Sequence, residues 1–189
     1  MPRLFTQGDT LKVCVVGPKG SGKTVLCKLL AEQVLSAQAS REYQPTAGLR
    51  IQELELEHKG RQRQVQLWDL SGDPSYEKYF AMLAEGTAGV LLVHNAQKDQ
   101  ESDLEVFYRV FAQPNKLTMA QVATIGTTFT GAEGEDPTGG AAVVPLKRKL
   151  KTLDHFQVDL GQLVGKENTG KAMHVLRPKF ETMMDAAFG

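Results

Sequence analysis

Gly17-Pro18-Lys19-Gly20-Ser21-Gly22-Lys23-Thr24 is the stretch that decides how this chain folds. The octet fits G-x-x-x-x-G-K-[ST], a loop whose glycines let the backbone wrap a phosphate with no Cβ in the way. Upstream, Leu11-Lys12-Val13-Cys14-Val15-Val16 is short and mostly apolar and reads as a buried strand. Downstream, Leu26, Leu29, Leu30 and Val34 recur at helical spacing. Strand, glycine loop and helix form the context that the motif needs. Amides freed by the loop and the positive end of the helix then face an anion. Pro18, Lys19, Gly20, Ser21, Gly22, Lys23, Thr24 and Val25 are therefore the candidate phosphate site. Lys23 would reach the outer phosphates and the Thr24 hydroxyl would ligate Mg²⁺. The competing reading is a chance glycine-rich turn, which the flanking strand and helix argue against.

Composition sets the outer bounds. At 189 residues the chain reads as a single domain, 1–189, able to bury a core without disulfides or metals. Lysine plus arginine number 22 and aspartate plus glutamate 22, so net charge points to neither nucleic acid nor an anionic membrane. Cys14 and Cys27 flank the loop and read as small buried residues in a reducing compartment. No signal peptide, membrane-length apolar run or C-terminal prenylation cysteine is expected, so the reading is cytoplasmic, with no transmembrane segment or lipid anchor. The four histidines and two cysteines show no metal-ligand spacing, so no structural zinc is expected.

Beyond the loop, the first helix is expected over 23–37. Pro45-Thr46-Ala47-Gly48 reads as a loop. Leu49 to His58 reads as a strand whose apolar parity slips between Ile51 and Leu54, implying a bulge or an end of pairing. Lys59-Gly60 makes a hairpin turn into Arg63 to Leu70. That strand ends in Trp68-Asp69-Leu70-Ser71-Gly72-Asp73. An acidic residue at a strand tip beside a phosphate loop can hold Mg²⁺ through water, and a following glycine can offer its N–H to a terminal phosphate.

Tyr76 to Leu83 has a helical look, and Val90-Leu91-Leu92-Val93 is an apolar run of buried-strand type. Leu104, Phe107, Tyr108 and Phe111 form a core stripe that stops at Pro114. Gln121 to Gly126 is a further strand. Residues 131–146 are expected to form a mobile loop. The basic run Lys147 to Lys151 reads as a solvated face, with contact to an acidic partner as the rival reading. Lys149 to Phe156 supplies the last strand. Met173, Leu176, Phe180, Met183 and Ala187 mark a closing helix, which Pro178 either kinks or opens anew. Alternating strands and helices predict an α/β fold with helices on both faces of a mostly parallel six-stranded sheet, carrying one antiparallel edge hairpin. Its ligand should sit at the carboxyl ends of the strands.

GPKGSGKT, then Pro45-Thr46 with Gly48, then WDLSGD resemble, in order and spacing, a Ras-superfamily small GTPase of the P-loop NTPase fold, over Lys12 to about Ala96. The longer patterns VGPKGSGKTVL, EYQPTAGLRI and LWDLSGD are similar to the Rab-like subunits of the intraflagellar transport B complex. The resemblance implies GTP or GDP with Mg²⁺ as cofactors. It implies Thr46 and, through water, Asp69 as metal ligands beside Thr24, and Gly72 as the sensor of the third phosphate. It implies a coiled-coil heterodimer of the transport complex as partner, docked through the loops around Thr46 and Gly72. The implied location is the cytoplasm, at the cilium or flagellum and its base.

Three departures qualify that resemblance. Active family members place a glutamine directly after the sensing glycine; here the position is Asp73, so no catalytic residue is assigned and slow hydrolysis is expected. Lys19 replaces a small residue and would either crowd the terminal phosphate or neutralise it. The segment aligned with the guanine-reading N-K-x-D is Thr127-Thr128-Phe129-Thr130, leaving Thr127 and Thr128 as candidate base contacts by hydroxyl. Two rival functions stay open: a structural subunit whose nucleotide is not a switch, and a P-loop phosphotransferase.

Overall fold

The structure is a computed structural model, and it describes residues 10–32, 45–129, 143–161 and 166–189. Its centre is a six-stranded sheet in the order β2-β3-β1-β4-β5-β6. The strands are β1 (Thr10–Val16), β2 (Leu49–His58), β3 (Arg61–Leu70), β4 (Gly89–Asn95), β5 (Val122–Thr128) and β6 (Asp154–Asp159). Every neighbouring pair is parallel except the hairpin β2–β3. Both hairpin-turn residues take left-handed backbone, Lys59 at φ 49° and Gly60 at φ 72°, matching the right-handed twist of the strands they join.

Val13–Val16 of β1 and Val90–Val93 of β4 are continuous apolar runs because the sheet is covered on both faces. On one face Val13, Val15, Leu91, Val93 and Ile125 pack under α1 (Lys23–Leu30) and the C-terminal helix α4 (Lys166–Phe188), which contributes Leu176, Phe180, Met183 and Met184. On the other, Cys14, Val16, Val90 and Leu92 meet Phe80 of α2 (Phe80–Ala84) and Leu104 and Phe107 of α3 (Glu101–Phe107). α3 runs on as a π-helical turn, Tyr108–Ala112, that buries Phe111. Cys14 and Cys27 are both buried free thiols. Among the described residues no helix is long and apolar enough to cross a membrane.

Several expected boundaries move. α1 ends at Leu30, not Ala37: Ala31 caps it and Glu32 turns left-handed at φ 53°, while residues 33–44 lie outside the described part. No bulge interrupts β2, which pairs with β3 without a break from Leu49↔Leu70 to His58↔Arg61. The parity slip has another cause: Ile51 points outward, 45% exposed, and Gln52 takes the inward place. The last strand starts later than expected, since Arg148–Thr152 is a 3₁₀ turn and pairing begins at Asp154. Pro178 lies inside one continuous helix, so no separate final helix starts there. The expected loop over 131–146 falls mostly outside the described residues, but Val144 N–H donates to Ala96 O at 2.8 Å.

Candidate functional site: a phosphate loop facing a hydroxyl–carboxylate cluster

β1 delivers the glycine loop at the carboxyl end of the sheet, between β3 and β4. Gly17 must be glycine, because at φ 151° an added Cβ would stand 1.9 Å from Val93 O. Gly22 caps α1 in left-handed backbone, φ 84°, and no side chain bonds the helix end. The first-turn amides of α1 have no acceptor within the helix, and no acidic residue occupies that turn. That leaves a cluster of N–H groups at the positive end of a helix dipole, open to an anion.

Lys23 folds back across this loop. Its buried ammonium donates to Gly17 O and Pro18 O, each at 2.8 Å, and approaches Ser21 Oγ at 3.4 Å. Burial lowers its pKa to about 8, although the nearby Asp69 carboxylate pulls the other way. This is a cation held where a polyphosphate would take over from backbone carbonyls.

Beside it, three oxygen-bearing side chains converge from three elements. Thr24 on α1 donates to Asp69 Oδ2 at 2.7 Å, and Thr46, from the loop before β2, reaches the same oxygen at 3.1 Å. The two hydroxyls lie 2.8 Å apart. Asp69 is fully buried at the end of β3, and its Oδ1 has no hydrogen-bond partner among the described residues. Desolvation raises the Asp69 pKa, against the pull of Thr24, Lys23 and Thr46. A buried carboxylate with an orphaned oxygen, flanked by two hydroxyls, is an all-oxygen donor set suited to a hard divalent cation. Among the described residues no group of three or more His, Cys, Asp and Glu side chains is placed to hold a metal ion, so any cation here relies on the two hydroxyls and one carboxylate. The chain's own groups thus fit a polyphosphate with Mg²⁺.

Gly72 lies directly against the loop: a Cβ there would meet Gly17 O, Lys19 N and Pro18 C at 2.5 Å. The segments carrying Thr46 and Gly72 are also joined, by Ser71 N–H donating to Gly48 O at 2.8 Å, with the Tyr76 ring over Gly48. Lys19 and Asp73 face each other at the rim, Nζ to Oδ2 3.8 Å.

The two expected base contacts part company. Thr127 is fully buried, and its hydroxyl donates to Ser21 O and His94 O, both at 3.0 Å, clamping the loop to β4. Thr128, at the end of β5, keeps some exposed surface. The sequence reading missed the apolar wall around Gly22, where an added Cβ would meet Leu160 Cδ1 at 2.4 Å and Phe129 Cζ at 3.4 Å. The period-two run Phe156, Val158, Leu160 was the signal for it, since it carries β6 past its expected end toward this loop.

Together, glycine loop, strand-end aspartate and sheet order define a P-loop nucleotide-binding fold of the small-GTPase type. Residues 12–129 match the family described as Roc, Ras of Complex, Roc, domain of DAPkinase. Intraflagellar transport protein 22 of Chlamydomonas reinhardtii is 47% identical over 113 residues, covering 59% of this chain and 58% of that protein. The Bos taurus homolog is 36% identical over 146 residues, covering 74% and 76%. The GTP-bound IFT22/74/81 crystal structure of T. brucei superposes with a TM-score of 0.67 at 23% identity, over 95% of this chain and 98% of that one. GDP-bound IFT22 from the same organism gives 0.58 at 22%, over 89% and 97%. At such identities the two structures speak for the fold alone. The chain belongs to the intraflagellar transport protein 22 family of Rab-like small GTPases.

Proposed function

We propose that the chain is a guanine-nucleotide-binding subunit of the intraflagellar transport machinery, working in the cytoplasm and at the cilium or flagellum. Its loop amides from Pro18 to Val25 and the Lys23 ammonium would hold the phosphates of GTP or GDP. Thr24, Thr46 and, through water, Asp69 would hold Mg²⁺, the cofactor's metal supplying charge neutralisation at the phosphates. The observation that carries this reading is the Thr24–Thr46–Asp69 cluster, with Asp69 Oδ1 buried and orphaned beside Lys23. Guanine is supported by the family and by the GTP- and GDP-bound neighbours. Thr128 is the better-placed hydroxyl for the base, because Thr127 is fully buried while Thr128 keeps some exposed surface.

Docking would run through the joined segments around Thr46 and Gly72. On the elements that follow them in sequence, Ile51, Tyr79 and Met82 are exposed apolar side chains, with Ile51 paired across the hairpin to a part-buried Trp68. Exposed apolar side chains of this kind suit an apolar partner face. A coiled-coil heterodimer of complex B is the proposed partner, supported by the neighbour solved as an IFT22/74/81 complex. Hydrolysis should be slow, since Asp73 is an acceptor tied to Ser75 N–H at 3.0 Å and brings no amide to orient a water.

Pull-down of the heterodimer by the wild type and by Lys23→Ala tests the coupling of nucleotide to docking. Capture by the wild type only in GTP, lost in the variant, is expected. Equal capture by both would favour a structural subunit, and turnover as fast as a partner-stimulated GTPase would contradict slow hydrolysis.

A further inference from the structure

The fold brings Lys19 and Asp73 together at the rim of the phosphate loop. Lys19 sits on the outer turn of the glycine loop with its side chain 52% exposed, and Asp73 stands opposite, 40% exposed, with 3.8 Å between Nζ and Oδ2. Asp73 is not free to move away. Its carboxylate caps the 3₁₀ turn Pro74–Tyr79 through Ser75 N–H, and its own N–H donates to Ser71 Oγ at 3.2 Å. The backbone between the pair is in contact too, since Gly72 lies against Gly17, Pro18 and Lys19. A fixed anion at this rim repels a terminal phosphate, and an ammonium on a long flexible stem offsets that repulsion or turns to the phosphate instead.

From this geometry we infer that Lys19 and Asp73 form a charge pair that sets the preference for a triphosphate over a diphosphate, Lys19 exchanging its Asp73 partner for the third phosphate. The inference rests on the nucleotide-binding reading above and assigns that site its phosphate-counting residues. Lys23 does not substitute for Lys19, because in the reading above its ammonium turns from Gly17 O and Pro18 O to the phosphates of GTP and GDP alike and so does not tell the two apart. Asp73 opposes triphosphate binding and Lys19 favours it, so the two substitutions move the preference in opposite directions.

The test is equilibrium titration of the full chain with GTPγS and with GDP, both in excess Mg²⁺. Lys19→Ala should lower the GTPγS-over-GDP affinity ratio about tenfold, the scale of one charge-assisted contact to phosphate. Lys19→Arg should keep the wild-type ratio. Asp73→Asn, which retains the capping acceptor, should raise the ratio several-fold. Doubling the ionic strength should shrink the wild-type ratio more than that of Lys19→Ala. Losses of equal size for both nucleotides, or an Asp73→Asn ratio at or below wild type, would overturn the pair's role while leaving the site intact. A wild type that binds neither nucleotide would overturn the site reading and this inference with it.

Discussion

At Asp69 one carboxylate oxygen accepts from Thr24 and Thr46 while the other is buried with nothing to bond. Burial has already raised its pKa, so the ionised form costs stability until a cation arrives. Asp69→Asn should therefore split two properties. Ligand-free thermal stability should hold or rise, whereas nucleotide affinity in Mg²⁺ should fall roughly 10- to 100-fold, with little difference from wild type in EDTA. A drop in ligand-free melting temperature with unchanged affinity would assign Asp69 to the fold alone.

His94 offers a second single-residue test. It is buried on β4 beside His155, ring centroids 5.7 Å apart, and Nε2 has no partner among the described residues. Burial, then the neighbouring imidazole, lowers its pKa from 6.5 to about 4. A folded pKa below the unfolded one means the unfolded chain binds more protons between these values, so stability falls as pH drops from 6.5 toward 4. Urea unfolding at pH 7.5 and pH 5 should show a loss on the order of 1 kcal/mol that is smaller in His94→Asn once each variant is referenced to its own value at pH 7.5. An identical loss in both would acquit His94.

Among the elements, β2 shows how a pattern can mislead. Alternation in a strand assigns faces by residue type, and Ile51 next to Gln52 invites the apolar one inward. Register decides otherwise: with Leu54, Leu56 and His58 turned in, Gln52 must follow, and its Oε1 is buried without a partner among the described residues. Gln52→Leu removes that orphan at similar volume and should stabilise the chain by about 1 kcal/mol in chemical denaturation. A destabilised variant would mean that Gln52 has an unseen partner, such as a buried water.

Other elements were legible to different depths. The glycine octet announces strand, loop and helix because its glycines meet backbone demands, Gly20 and Gly22 by left-handed φ and Gly17 by its close approach to Val93 O. Buried strands such as β4 were plain from their continuous apolar runs. The end of α1 and the start of β6 were not, because a left-handed Glu32 and a 3₁₀ turn at 148–152 are set by tertiary packing rather than by local pattern. The Thr127 hydroxyl reads from the sequence as a base contact, whereas the structure buries it between the phosphate loop and β4. Its bonds to Ser21 O and His94 O depend on residues distant in sequence, which no local reading supplies.

For the molecule as a whole, the sheet brings Lys23, Thr24, Thr46, Asp69 and Gly72 to one end from three separate segments. As proposed above, this assembly would grip one guanine nucleotide with Mg²⁺. Calorimetric titration of the full chain with GTP and with ATP, each with Mg²⁺ and with EDTA, measures that claim. Saturable binding of one GTP per chain is predicted, weakened without Mg²⁺, lost in Lys23→Ala, and much tighter than ATP. No heat with GTP in Mg²⁺, or indistinguishable isotherms for GTP and ATP, would contradict it.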